Sequence, residues 1–190
     1  MKDIVVVHAD EACLGNGMEP PTPGGAGALV EAFTPGAVNR SDFVLSEPDT
    51  TNNRMALRSA IGALEMLGAA GHGPAIHFVS DSNYVVQGMN AWVSAWRARG
   101  WRRQGGAVEN LDLWQHLDAL RLRLDVRWTW VRGHAGHVKN EYANDLATRA
   151  AREQLDSRGL VPSGFEDWLA RERERGRYLG YDPDHDRPSA

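Results

Sequence analysis

An aspartate and a glutamate stand side by side, Asp10 and Glu11, directly behind an apolar run at residues 4–9. A run of this kind predicts a buried strand, and α/β proteins place their sites at the carboxyl ends of strands. Two neighbouring carboxylates offer the hard oxygen ligands that a divalent cation such as Mg²⁺ prefers. The pair therefore indicates a metal site, with a solvent-exposed turn as the alternative that is commoner for an isolated Asp-Glu.

The composition predicts a globular protein without a membrane-spanning segment. The chain has 190 residues, of which 42% are hydrophobic, enough for one domain with some additional chain. It contains neither an apolar run of the ~20 residues that a membrane span needs nor a secretory signal. Cys13 is the only cysteine, either a nucleophile or, more commonly, a buried thiol. We expect a cytoplasmic protein that contacts no membrane.

The charge distribution is more informative than the net charge of -4, which disfavours a uniformly basic surface. All basic residues except Lys2 and Lys139 are arginines, the side chain best suited to forked phosphate contacts. Residues 84–108 contain no acidic residue. The same segment carries a cluster of basic and aromatic residues: Arg97, Arg99, Arg102, Arg103, Trp92, Trp96 and Trp101.

Hydrophobic periodicity predicts an α/β fold, with a five-stranded mixed sheet flanked by helices. The short link at residues 34–36 makes the second and third strands an antiparallel hairpin. The last two strands are each reached through a helix and can lie parallel to the first. The predicted strands are residues 4–10, 25–33, 37–46, 75–80 and 126–131, and the helices are 52–67, 82–99 with a break, 109–122 and 139–154.

The chain changes character after Asp156. A charge run at residues 171–175 predicts a solvated helix, followed by a frayed polar tail. Phe165, Trp168, Leu169 and Tyr178 are the side chains that could dock this segment. We expect a catalytic domain over residues 1–155 and a C-terminal extension, partly helical or disordered, over residues 156–190.

Five short segments together resemble ribonuclease H of type 1, in order and in spacing. They are residues 13–16, 50–55, 80–85, 110–114 and 130–137. The resemblance implies a ribonuclease H-like fold and an endoribonuclease that cuts the RNA strand of RNA–DNA hybrids, leaving 5′-phosphate and 3′-hydroxyl ends. It also implies two Mg²⁺ ions, for which Mn²⁺ can substitute, held by four acidic residues, and a monomer that needs no protein partner. Two such ions ~3.5–4 Å apart position the attacking water and stabilise the leaving oxygen.

Two of the four acidic positions depart from the family pattern. Asp10 and Asp81 match, but the helix glutamate is replaced by Ala56 and the last aspartate by Asn144. An asparagine offers a carbonyl oxygen but no negative charge. Its neighbour Asp145 points away from the apolar stripe of that helix, so we expect it to be solvated.

Glu11 is the candidate for the missing carboxylate. Type 2 enzymes carry an Asp-Glu pair on the first strand, and Ala56 leaves space for a longer side chain. Adjacent residues in a regular strand point to opposite faces, so Glu11 reaches the metals only if the strand bends or ends near it. The predicted metal ligands are Asp10, Glu11, Asp81 and Asn144.

The remaining site residues also come from the resemblance. His134 would move protons or assist product release, and without the resemblance it would be an exposed loop histidine; His137 has a weaker case. The predicted substrate contacts are Asn16, Thr51, Asn52, Asn53, Asn83, Arg97, Arg99, Trp101 and Arg102. Several of these are equally well explained as turn formers or helix caps, and Trp101 as a stacking platform or a packing residue.

Two other functions fit the same pattern. The chain could be a binding module for hybrids that has lost its catalytic ligands, or a resolvase or integrase on the same fold. The additional carboxylate of Glu11 beside Asp10 disfavours the binding module, because a site that has lost its catalytic function has no reason to gain an acidic residue. The Thr-Thr-Asn-Asn segment at residues 50–53 disfavours the resolvase and integrase.

Overall fold

The computed structural model describes residues 4–69, 73–133 and 136–184. Its strands are β1 (Ile4–Cys13), β2 (Gly24–Thr34), β3 (Ala37–Glu47), β4 (Ala75–Ser80), β5 (Arg102–Arg103), β6 (Gly106–Ala107), β7 (Val126–Trp130) and β8 (Val161–Pro162). Its α-helices are α1 (Asn52–Gly68), α2 (Asn83–Gln87), α3 (Val93–Ala98), α4 (Leu111–Arg121), α5 (Val138–Glu153) and α6 (Phe165–Glu174), with a π-helical turn at Gly88–Trp92. In the part of the chain that the structure describes, no helix is long and apolar enough to cross a membrane.

The main sheet has the strand order β7-β4-β1-β2-β3-β8. β4 is parallel to both β1 and β7, whereas β2 and β3 form an antiparallel hairpin beside β1. The α/β class and the mixed sheet are confirmed, but the prediction of five strands in this sheet was wrong by one. The sixth strand, β8, pairs with Ser41 and Asp42 of β3, and a two-residue strand that includes a proline is too short to show an alternating pattern.

One face of the sheet packs against α1, α2 and α4. Alternate residues of β1, such as Val5, Val7 and Ala9, enter this core because strand side chains alternate between faces. The predicted helix at residues 82–99 is broken by the π-helical turn, whose first residue is Gly88. A Cβ there would lie 2.0 Å from the ring of Trp114, so only glycine fits against that buried side chain.

The other face packs against α5, which lies over β1, β2 and β3. Two glycines of β2 allow this close approach. A Cβ on Gly25 would lie 2.3 Å from the carbonyl oxygen of Ala147, and one on Gly27 would lie 2.6 Å from that of Ala143. The position of α5 therefore depends on the bare backbone of β2.

The C-terminal extension packs on the outer side of α5. Phe165 and Trp168 are buried there against the ring of Tyr142. The charge run, expected to be solvated, includes a buried carboxylate: Glu172 is 3% exposed and pairs with Arg175 at 2.7 Å and Arg177 at 2.6 Å. The aromatic residues fix this segment on the domain, together with the ion pair of 2.7 Å between Arg177 and Glu141 of α5.

A second buried carboxylate, Glu31 of β2, lies between the sheet and α5. It pairs with Arg40 at 2.9 Å, Lys139 at 2.9 Å and His8 at 3.4 Å. Burial alone would raise the pKa of Glu31, but the hydrogen bond from His8 and the charge of Lys139 lower it to about 2. Arg40 also pairs with Glu166 of α6, so the network connects the sheet, α5 and the extension.

Replacing Glu31 with glutamine is expected to lower the free energy of unfolding at neutral pH by about 3 kcal/mol, because Lys139 loses its buried counter-charge. The pKa of Glu31 is lower in the folded chain than in the unfolded chain. Its contribution is therefore complete above the ordinary pKa of 4.5 and disappears as the pH falls towards about 2. Urea denaturation across this pH range measures it, with Glu153→Gln, an exposed acid, as the control. Equal losses in both variants would contradict the network.

Candidate active site

Three carboxylates meet at the carboxyl ends of the two central parallel strands. Asp10 and Glu11 lie on β1, and Asp81 directly follows β4. The register pairs Ala9 with Ser80, so the two strands reach the same level. Each of the three residues offers an oxygen within 4.8 Å of the others. This spacing allows one divalent cation to contact all three side chains.

Glu11 reaches the cluster although β1 continues for two residues beyond it. The pairing of β1 with β2 extends to Cys13, but its pairing with β4 stops at Ala9. Beyond Ala9, β1 no longer pairs with β4, and the chain after β4 brings Asp81 and Ser82 to this level. Oδ1 of Asp10 accepts a hydrogen bond of 2.7 Å from the Glu11 backbone amide. The strand therefore does not end at Glu11; its pairing with the parallel strand β4 ends two residues earlier, at Ala9.

The electrostatics of the cluster favour a cation. Burial, and then the charge of Asp81, raise the pKa of Asp10 to about 8. Burial, followed by the charges of Asp10 and Asp81, raises the pKa of Glu11 well above its ordinary value, although a hydrogen bond with Ser82 opposes the shift. Three acids that repel one another in a buried place bind protons unless a cation balances their charge. The donor set of carboxylate oxygens fits a hard divalent ion.

Metal affinity is expected to rise with pH. Below about pH 8 the metal-free protein holds a proton on Asp10, which the cation has to displace. The apparent association constant should increase by about tenfold per pH unit for each displaced proton. Because the pKa of Asp10 is higher in the folded than in the unfolded chain, the metal-free protein loses stability as the pH rises towards about 8. Binding of the cation restores this stability. Titration calorimetry with Mg²⁺ or Mn²⁺ measures this dependence; an affinity independent of pH would contradict it.

Asp81 is held by the last residue of β7 and by the loop that follows this strand. The indole Nε1 of Trp130 donates a hydrogen bond of 3.0 Å to the backbone oxygen of Asp81. A Cβ on Gly133 would lie 2.2 Å from Oδ2 of Asp81. Gly133 thus allows this loop to approach the carboxylate directly. His134, the predicted proton-transfer residue, comes next in the chain but lies outside the described residues.

Two asparagines of α5 are on the side of the helix towards β1. Asn140 is buried, and its Nδ2 is 3.5 Å from Oδ2 of Asp10 and 3.5 Å from the backbone oxygen of Ala9. Asn144 is half-buried one helical turn later, on the same side. Asp145 is exposed, as expected. Asn140 was missed from the sequence, although its spacing of four residues from Asn144 was a signal for a shared face.

The predicted substrate contacts near α1 lie around its first turn. Oδ1 of Asn16, in the loop after β1, accepts a hydrogen bond of 3.1 Å from the backbone amide of Asn52. The side chain of Thr51 caps α1 by accepting from the Arg54 amide at 3.3 Å. Asn53 is exposed in the same turn. These side chains form a polar surface at the N-terminus of a long helix, where anions are favoured.

The basic segment forms a separate projection. It consists of α3, the short hairpin of β5 and β6, and the turn that joins α3 to β5. Trp101 lies in this turn and has a positive φ of 61°. Trp101 packs partly against the main core, whereas Arg99 and Arg102 are exposed. Arg97 pairs with the buried carboxylate of Asp118 at 3.4 Å. Asn83, the last predicted contact, is the exposed first residue of α2.

Comparison with known proteins places the chain in a family. The ribonuclease H family model matches residues 2–152. A protein named Ribonuclease H from Methylorubrum extorquens is 47% identical over 153 residues, or 80% of this chain and 62% of that protein. The Ribonuclease H of Aromatoleum aromaticum is 44% identical over 78% of this chain and 91% of its own length.

A solved structure is similar over the whole chain. LC9-RNase H1, described as a type 1 RNase H with the type 2 active-site motif, has 46% identity and a TM-score of 0.86, covering 100% of this chain and 99% of its own. These matches agree with the mixed sheet and with the acidic cluster at the ends of its parallel strands. Together they define a nuclease of the hydrolase class. The chain belongs to the ribonuclease H family.

Proposed function

We propose that this protein is an endoribonuclease that hydrolyses the RNA strand of RNA–DNA hybrids. In this proposal Asp10, Glu11, Asp81 and Asn144 hold two divalent cations, Mg²⁺ or Mn²⁺. The observation that carries it is the convergence of Glu11 with the two aspartates, with oxygens within 4.8 Å of one another. The proteins named Ribonuclease H at 44–47% identity support the activity.

Glu11 is proposed to take over the role of the helix glutamate that Ala56 replaces. Ala56 is 3% exposed and packed in the core, so α1 brings no carboxylate at that position. The relative LC9-RNase H1 is described with the type 2 motif on a type 1 scaffold, and the Asp10-Glu11 pair on β1 fits the same description. Ser82 supports the assignment because its hydrogen bond favours the charged form of Glu11.

The cations, when bound, supply Lewis-acid stabilisation of charge on the phosphate and on the leaving oxygen. The carboxylates of the chain provide the negative charge that holds them. Asn140 donates towards Asp10 at 3.5 Å and keeps that carboxylate turned to the cluster. Asn144 offers a neutral carbonyl oxygen in place of a fourth carboxylate. His134 is proposed to move a proton or assist product release.

The substrate contacts are proposed on two surfaces. The turn formed by Asn16, Thr51, Asn52 and Asn53 offers amide and hydroxyl groups to the backbones of the hybrid. The exposed arginines of the projection, with Trp101, would grip the DNA strand, so affinity should fall as salt rises. Asn83 is proposed to contact the strand beside Asp81. The protein is proposed to act as a cytoplasmic monomer, with 5′-phosphate and 3′-hydroxyl ends as its products.

Cleavage of end-labelled RNA distinguishes an enzyme from a binding module. With Mg²⁺ or Mn²⁺, the protein should cut RNA in a hybrid and leave single-stranded RNA, duplex RNA and duplex DNA intact. Mass spectrometry of the fragments identifies the new ends. If the protein binds the hybrid but cleaves it with neither metal, a non-catalytic binding module is favoured. This module is the second candidate because Ala56 and Asn144 stand where the family has acidic residues.

Replacing Asn144 with aspartate is expected to lower the metal concentration needed for half-maximal cleavage, by about tenfold. An added carboxylate makes the site more negative and binds the cation more tightly. The effect should be larger for Mg²⁺ than for Mn²⁺ if Mn²⁺ already binds well in the unchanged protein. Cleavage rates against metal concentration measure it, with Asp145→Asn as the matched exposed control. An unchanged metal dependence would remove Asn144 from the ligand set.

A further inference from the structure

A cavity of about 690 Å³ lies on the sheet face beside α5, and Asp10, Glu11 and Asp81 are not among the residues that line it. Because α5 covers β1, β2 and β3, the same face of β4 and β7 is left open. The floor of the cavity consists of side chains that alternate with the core residues of β1, β4 and β7. A volume of this size is in the range of small-molecule sites.

The lining is basic and apolar. Among the described residues that line the cavity there is no aspartate or glutamate. Val6, Val79, Val131 and Val138 form its apolar surface. Its nitrogen-bearing side chains are His8, His77, Arg127, His137, Lys139 and Asn140.

Arg127 and His77 carry most of the argument for an anion. They are direct partners in the register of β4 and β7, so their side chains emerge from adjacent strands about 5 Å apart. Lys139 and His8 are different because both already face the buried Glu31. The structure records no ion pair for Arg127 within residues 4–69, 73–133 and 136–184. The exposed guanidinium of Arg127 and the half-buried ring of His77 can donate hydrogen bonds to one phosphate placed between them.

Two further features make the cavity suitable for a phosphate with an attached ring. The first turn of α5 lines it at residues 137–140, and the side chain of His137 does not cap this helix. Backbone N–H groups at a helix start favour an anion. Tyr181, from the C-terminal extension, lines the cavity as well and adds an aromatic side chain; it packs partly against the cluster that includes Val138.

We propose that this cavity is a binding site for a free nucleotide, with the phosphate at Arg127 and His77 and the base against the valines and Tyr181. Inorganic phosphate alone would satisfy the basic residues but leave most of the volume unfilled. The site is separate from the acidic cluster, although Asn140 borders both. The proposal does not depend on cleavage of hybrids.

Titration of the full-length protein with AMP, in the presence of Mg²⁺, tests the proposal. Backbone amide signals of residues 77–79 and 127–129 should shift, and AMP should bind more tightly than inorganic phosphate. Arg127→Gln should weaken AMP binding by about tenfold, the contribution of a charge-assisted hydrogen bond, and His77→Ala, which removes the neighbouring ring donor, by about fivefold. Arg152→Gln, an exposed arginine at the other end of α5, should leave binding unchanged.

Three outcomes would overturn the proposal. The first is that AMP at millimolar concentration does not shift the signals of β4 and β7. The second is that AMP binds Arg127→Gln as tightly as the unchanged protein, which would place its site elsewhere. The third is that Arg127→Gln weakens binding of a hybrid while AMP has no effect, which would make the basic residues a nucleic-acid contact. Since none of the substituted residues belongs to the acidic cluster, hybrid cleavage without AMP should stay normal in all variants.

Discussion

Replacing Glu11 with glutamine is expected to reduce kcat for hybrid cleavage by roughly a thousandfold, the scale of losing about 4 kcal/mol of transition-state stabilisation. The substitution keeps the shape of the side chain but removes one of three negative charges around the cation. Burial and the neighbouring aspartates already raise the pKa of Glu11. The neutral glutamine should therefore fold at least as stably as the metal-free parent, and thermal unfolding separates a catalytic loss from a structural one.

The control for this prediction is Asp145→Asn. This substitution removes an exposed carboxylate from the residue that follows Asn144. It should leave kcat within about twofold of the value for the unchanged protein. A Glu11→Gln protein that cleaves hybrids at the normal rate would show that Glu11 has not replaced the helix glutamate. The carboxylate that replaces the missing helix glutamate would then have to come from a residue outside the cluster of Asp10, Glu11 and Asp81.

Replacing Gly25 with alanine is expected to lower the free energy of unfolding by about 3 kcal/mol or more. The added Cβ would lie 2.3 Å from both the oxygen of Ala147 and the nitrogen of Ala151. These are backbone atoms of α5, so the contact cannot be relieved by rotating a side chain. Chemical denaturation measures the loss, and Gly159→Ala, where a Cβ meets nothing within 4 Å, is the matched control.

The same substitution should affect the active site. Relief of the clash requires α5 to move away from β2, and α5 carries both Asn140 and Asn144. Metal affinity and cleavage should therefore fall in Gly25→Ala under conditions where the protein is still folded. A variant with normal stability and normal metal affinity would show that the close approach of β2 and α5 is not required for the site.

The local elements were predictable because their patterns are short-range. Alternation along β1, the turn-rich link between β2 and β3, and the apolar stripe of α1 each lie within one segment. The order of the elements then limits the sheet to the few topologies in which strands joined by helices are parallel. The cluster of Asp10 with Asp81 follows from that parallel pairing.

The remaining features depend on contacts between segments far apart in the chain. Strand β8 pairs with the outer edge of β3, and Glu172 is buried with Arg175 and Arg177 as its ion-pair partners. Asp10 and Glu11 reach the same cluster at the point where β4 stops pairing with β1. The alternating pattern of β1 carries no information about where β4 ends. Asn140 could have been found by its helical spacing from Asn144, but its contact with Asp10 depends on how closely α5 approaches β1.

The most direct test of the proposed site is a crystal structure of the protein with Mn²⁺ and an uncleaved hybrid, measured at the manganese absorption edge. The anomalous signal locates the cations independently of the protein coordinates. We predict manganese coordinated by carboxylate oxygens of Asp10, Glu11 and Asp81, with the RNA strand adjacent. Manganese bound by the two aspartates without an oxygen of Glu11, or bound away from this cluster, would contradict the proposed site.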